Sequence, residues 1–167
     1  MANCEIFEAG DVALESGAVL PAVRIAYRTL GKMNAARSNA IAYPTHYSGT
    51  HDSNAWAIGP GMALDPEHYF IIVPNMLGNG FIIAEQYAGA NDGPRFPLAT
   101  VRDNILLQHR LASELFNITT LALVVGHSMG AQQQRNRVSW SLGDEADEEV
   151  VVPSGDFALE AHGVFAR

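Results

Sequence analysis

The chain has one cysteine, Cys4, so no internal disulfide can form, and with no His or Asp beside it nothing activates the thiol. Basic side chains are also few. Lys and Arg number 10 against 18 Asp and Glu, a formal charge of -8, and no basic cluster is available to grip phosphate. That excludes nucleic acid as an expected partner. Nowhere do about 18 apolar residues run uninterrupted, so no membrane-spanning helix is expected. The opening "MANCEIFEAGDVALESG" has acids where a secretory leader has a basic flank, and lacks an apolar core of leader length. A cytoplasmic chain is the expectation. Internal repeats and low-complexity tracts are missing as well.

What is present is an apolar-rich chain of single-domain size. Apolar residues make up 48% of the 167 positions and charged residues 17%. A chain of that length can hide roughly two thirds of its unfolded surface. From Glu5 to Tyr27, loosely alternating residues flank the turn-like "ESGAVLP", which predicts a β-hairpin. "NAIAYP" (39–44), "YFIIVPN" (69–75) and "LALVV" (121–125) are short continuous apolar runs, the pattern of strands buried on both faces of a parallel sheet. Between the last two, "TVRDNILLQHRLASELFN" places Val101, Ile105, Leu107, Leu111, Leu115 and Phe116 near one helix face, with Asp103 in the first turn. The fold class is therefore α/β: a β-hairpin followed by a mostly parallel sheet with crossover helices.

Composition changes after Gln134. Residues 135–167 form a divergent acidic tail, with an acidic run from Asp144 to Glu149 and "EVVVP" (149–153) as one further parallel strand. Residues 1–134 form the α/β part.

"GHSMG", Gly126 to Gly130, comes directly after the apolar run 121–125 and precedes small residues that suit a helix start. A serine on so sharp a strand-to-helix turn is held in a strained backbone conformation, and small residues two positions either side avoid a clash. Ser128 is thus the candidate nucleophile of a nucleophile elbow. The amide of Met129, at the helix start, is a candidate donor to an oxyanion. Asp156 and His162 come after Ser128 in the Ser, Asp, His order of a catalytic triad, as a substitute acid and base. Their close spacing leaves no room for the strand and helix that normally separate such loops, and the expected reading is surface residues near a chain end. His46, His51 and Asp52 lack a matching second cluster for a metal site, and His127 reads as a packing residue. No cofactor is implied.

The blocks "LPAVRIAYRTLGKMNAARSNAIAYPTHYSGTH", "AIGPGMALDPEHYFIIVPNMLGNG", "GPRFPLATVRDNILLQHRL" and "LALVVGHSMGAQQ" resemble, in order, the homoserine O-acetyltransferase-like family of α/β-hydrolases. The resemblance implies that Ser128 carries the acyl group. It also implies that the amide of Tyr47, in "THYSG", is the second oxyanion donor beside Met129. The partners would be a small acyl donor or ester and a small acceptor, an amino acid or water, with a homodimer as the possible assembly. "GHSMGAQQ" is nearer the hydrolase-like members than the transferases, and "GNGFIIAEQYAGAND" departs at Phe81, Ile82 and Ile83 from the small polar residues expected there. The family's lid and its catalytic Asp and His lie beyond position 167. The resemblance thus implies an incomplete site, or a truncated product acting as an interaction module, or a second chain supplying the missing half.

Overall fold

A computed structural model describes residues 4–78, 95–133 and 158–161. The expected hairpin is there: β1 (Glu5–Ala13) and β2 (Val19–Leu30) pair antiparallel, with register shifts between Glu8 and Val12. Their turn closes through Leu14 N–H to Ala18 O at 2.9 Å. The three apolar runs become β3 (Ala40–Ala42), β4 (Phe70–Pro74) and β5 (Leu123–Gly126). The final strand, β6, is Ala158–Ala161.

The sheet order is β1-β2-β4-β3-β5-β6. β3 lies parallel between β4 and β5, and both flanks are antiparallel: β2 on β4, and β6 on β5. The strand on the far edge of β5 is thus 158–161, running antiparallel; the run 149–153 and the acidic stretch lie outside the described residues.

Burial on both faces explains the continuous apolar runs. Ala40, Ala42, Phe70, Ile72 and Val124 face one core with Val23, Ile25, Leu107 and Leu111, while Ile41, Ile71, Val73 and Val125 face another with Tyr43 and Leu64. The period-two alternation of a strand separates these sets. Each Val, Leu, Ile or Phe side chain among them, taken out of water, contributes roughly 1.5–3 kcal/mol before ordering costs.

Helix α1 (Val101–Arg110) covers the first core with Ile105 and Leu107 buried, and opens on a capping box between Thr100 and Asp103. Leu111–Leu115 continues it as a π-helical turn. The wider turn shifts the angular position of its last residues, so Leu115 is 44% exposed instead of lying on the apolar face. Phe116 takes that role, meeting Tyr27 and Phe70 edge-on with ring centroids 5.8 and 5.2 Å apart. Among the described residues no helix is long and apolar enough to cross a membrane.

Candidate functional site

β5 ends at Gly126, and a helical segment opens at 129. Between them Ser128 adopts φ 52°, the left-handed region that a residue with a Cβ seldom enters. The turn is held by Gly130 N–H to His127 O at 2.9 Å and Ala131 N–H to Ser128 O at 3.0 Å. No room exists for larger neighbours: a Cβ on Gly126 would lie 2.3 Å from Gly130 O, and one on Gly130 would lie 2.8 Å from Pro44 O. Ser128 itself is exposed. A strained, solvent-facing hydroxyl at the end of a buried strand results, with the amide of Met129 at the helix start beside it.

Past β3 the chain continues alongside β4, with Tyr43 N–H bonded to Ile72 O at 2.8 Å and Thr45 N–H to Pro74 O at 3.2 Å. It then reverses through Gly49 N–H to His46 O at 3.0 Å, with Ser48 at φ 59°. Tyr47 sits on this reversal with its side chain 70% exposed. The close approach of Gly130 to Pro44 brings this loop against the Ser128 turn, so Ser128, Met129 and the loop of Tyr47 share one corner of the sheet. Asp156 and His162 lie outside the described residues. β6 leaves the sheet at Ala161 opposite Leu123, at the end of β5 remote from Ser128.

His127 packs inward against Tyr43, His46 and Trp56, with ring centroids 6.4, 4.5 and 6.3 Å away. Burial, and secondarily the imidazole of His46, hold its pKa below 6.5. The folded state then binds fewer protons than the unfolded state, so the neutral ring's contribution to stability is present above about pH 6.5 and is lost as pH falls through the depressed folded value. We expect His127→Gln to flatten the fall in melting temperature between about pH 7 and about pH 5, where one proton accounts for at most about 1.4 kcal/mol per pH unit. An unchanged slope in the variant would assign that pH dependence to other groups.

Two buried amide side chains support the corner, and neither was singled out from sequence because Asn and Gln in helical segments read as surface residues. Asn54, in the 3₁₀ helix His51–Ala57, donates to Tyr43 O at 3.0 Å and to Pro44 O at 3.4 Å. Gln133 is fully buried, donates to Thr45 O and Met129 O, and accepts from Gln108 at 2.6 Å. The available signal was the place of Gln133 one helical turn after Met129, on the side that faces the sheet. His51 and Asp52 form no metal cluster: Asp52 pairs with Arg28 at 3.0 Å, and among the described residues no three His, Cys, Asp or Glu side chains are placed to hold an ion.

No family model matches the chain. It is 45% identical over 131 residues to an ethyl acetate hydrolase of Pseudomonas veronii, an alignment covering 77% of this chain and 38% of that protein. Against a homoserine O-acetyltransferase of Chlorobium chlorochromatii it is 39% identical over 127 residues, 71% of this chain and 35% of the other. Among solved structures, the acetyl esterase MekB superposes with a TM-score of 0.77 at 43% identity, covering 80% of this chain and 39% of that one. An acetylester hydrolase from Corynebacterium glutamicum gives a TM-score of 0.78 at 40% identity, covering 82% and 40%. The chain therefore spans less than two fifths of the length of these two curated relatives.

Proposed function

We infer function from kinship: the chain corresponds to the N-terminal part of the homoserine O-acetyltransferase-like family of α/β-hydrolases, and we propose that Ser128 is its acyl-carrying nucleophile. The observation that carries this reading is Ser128 at φ 52° between two glycines that admit no side chain. A backbone held in that region is retained where the surrounding structure over-determines it, and such positions cluster at reactive sites. In the proposed reaction Ser128 Oγ attacks the carbonyl carbon of a small ester and gives its proton to a base. The amides of Met129 and Tyr47 receive the negative charge on the carbonyl oxygen. The C–O bond to the alcohol then breaks, and the alcohol leaves with a proton. Water or the hydroxyl of an amino acid takes the acyl group in the second half. Relatives named as acetate-ester hydrolases favour small acetyl esters, with water as acceptor.

Residues 1–134 carry the nucleophile and both oxyanion amides, and 135–167 form the divergent acidic tail. The second reading is a non-catalytic interaction module, in which no base serves Ser128. A serine with no base keeps its proton at neutral pH. Asp156 and His162 are the in-chain candidates for that role.

Intact mass after exposure to a fluorophosphonate separates the readings. Ser128 Oγ forms a P–O bond, fluoride leaves, and the hydroxyl proton passes to the base or to water. One adduct per chain that disappears in Ser128→Ala is the expected result. Folded protein that gains no mass would remove the acyl-serine reading and leave the interaction module. If His162→Gln also abolished the adduct, His162 would be the base.

A further inference from the structure

We propose that Gln133 is a positioning residue that sets the separation of the two oxyanion amides, a role that rests on the acyl-serine reading above. Its carboxamide lies between the two segments that carry them. Gln133 Nε2 donates to Thr45 O at 3.2 Å, two residues before Tyr47, and to Met129 O at 3.3 Å. Both hydrogens of one planar group are thus committed, one to each side of the corner. Gln133 Oε1 accepts from Gln108 Nε2 of helix α1 at 2.6 Å, a bond that meets the buried oxygen and leaves both donors where they are. Thr45 also donates its N–H to Pro74 O at 3.2 Å, so the peptides on both sides of this residue are anchored, the one leading towards Tyr47 by Gln133.

The burial argues for a role beyond solubility. A fully buried amide costs stability unless all its hydrogen bonds are made, and an apolar residue would fill the same space without that requirement. What an apolar side chain lacks is a pair of donors at fixed separation. Stabilisation of an oxyanion depends on donors held at about 2.7–3.1 Å from where the charge develops, so small changes in their spacing act on rate.

The test is the rate of fluorophosphonate labelling at Ser128, resolved into the maximal rate kinact and the half-saturating concentration KI, with melting temperature measured beside it. Gln133→Glu has the same shape but no donors, and turns a carboxylate oxygen towards two carbonyls. Gln133→Met is neutral and similarly long, and serves if the buried carboxylate prevents folding. Both are expected to lower kinact by about tenfold or more with little change in KI. Gln108→Leu removes the third partner of Gln133 but leaves both donor bonds. It is expected to lower the melting temperature while keeping kinact within about threefold of wild type. Wild-type kinact in folded Gln133→Met would overturn the proposal. So would a loss of kinact in Gln108→Leu as large as in the Gln133 variants, because the network would then act only through stability. A wild-type chain that takes no label at Ser128 would remove the acyl-serine reading itself, and this one with it.

Discussion

Gly126→Ala is expected to reduce fluorophosphonate labelling of Ser128 by about 10²-fold or more and to destabilise the chain by about 1–3 kcal/mol. The added methyl would lie 2.3 Å from Gly130 O, 2.4 Å from Gly130 C and 2.6 Å from Ala131 N. All three are backbone atoms of the helix start, so no side-chain rotation relieves the overlap. Either β5 or the helix must move, and Ser128 is the link between them. Gly130 has little room to retreat in the direction of the loop, because a Cβ built on it would already lie 2.8 Å from Pro44 O. Gly17→Ala is the matched control. Gly17 has φ 82° and open space around it, so alanine there carries only backbone strain, about 1–2 kcal/mol. We expect Gly17→Ala to lower the melting temperature by a similar amount and to label like wild type. Equal labelling rates in the two variants would mean that the geometry at Gly126 has no bearing on the reactivity of Ser128.

The parts of this arrangement that were legible in the sequence are those encoded by neighbours in the chain. Runs such as Phe70–Pro74 are apolar at every position because Ile71 and Val73 fill one core while Phe70 and Ile72 fill the other. The pairing order was not legible. β4 lies between β2 and β3 because of contacts remote in sequence, and no local pattern specifies which run takes the centre. A 3.6-residue period puts Leu115 on the apolar face, and the π-helical turn breaks that period without a distinctive residue to announce it. At the candidate site, the sharp turn at Ser128 was legible because its requirement for small neighbours is local. Tyr47 entered by resemblance alone; its side chain points to solvent, and only its amide has a proposed role. Gln133 was illegible for a different reason: its burial is decided by Thr45, 88 residues away.

Asp103 shows the same limit, and it carries the second large prediction. Its place in the first turn of α1 suggested a favourable charge at a helix start, worth about 0.3–1 kcal/mol. The structure gives it more to do. The carboxylate is 2% exposed and accepts from Thr100 N–H at 2.7 Å and from Thr100 Oγ1 at 3.1 Å. Its other oxygen accepts from Glu15 N–H at 2.9 Å, across 88 residues of chain. Asp103 therefore caps the helix and also ties it to the β1–β2 turn. Asp103→Ala would leave those donors without the carboxylate, and hydrogen bonds to a charged group contribute about 1.5–3 kcal/mol each before compensation by water. A net loss of about 3 kcal/mol is expected, which lowers the melting temperature of a chain of this size by roughly 6–12 °C. Thr100→Val weakens the cap but keeps the backbone tie. It removes the hydroxyl that accepts from Asp103 N–H at 3.2 Å and donates to the carboxylates of Asp103 and Glu15, a loss of about 1 kcal/mol, and leaves the bond from Glu15 N–H to Asp103 in place. If the tie to the hairpin matters, Asp103→Ala must exceed Thr100→Val by about 1–2 kcal/mol. Asp103→Ala should also speed proteolytic cleavage at the β1–β2 turn, and by more than Thr100→Val does. Equal losses in the two variants would reduce Asp103 to a helix cap, with the hairpin held by its pairing with β4 and by its apolar contacts with the core.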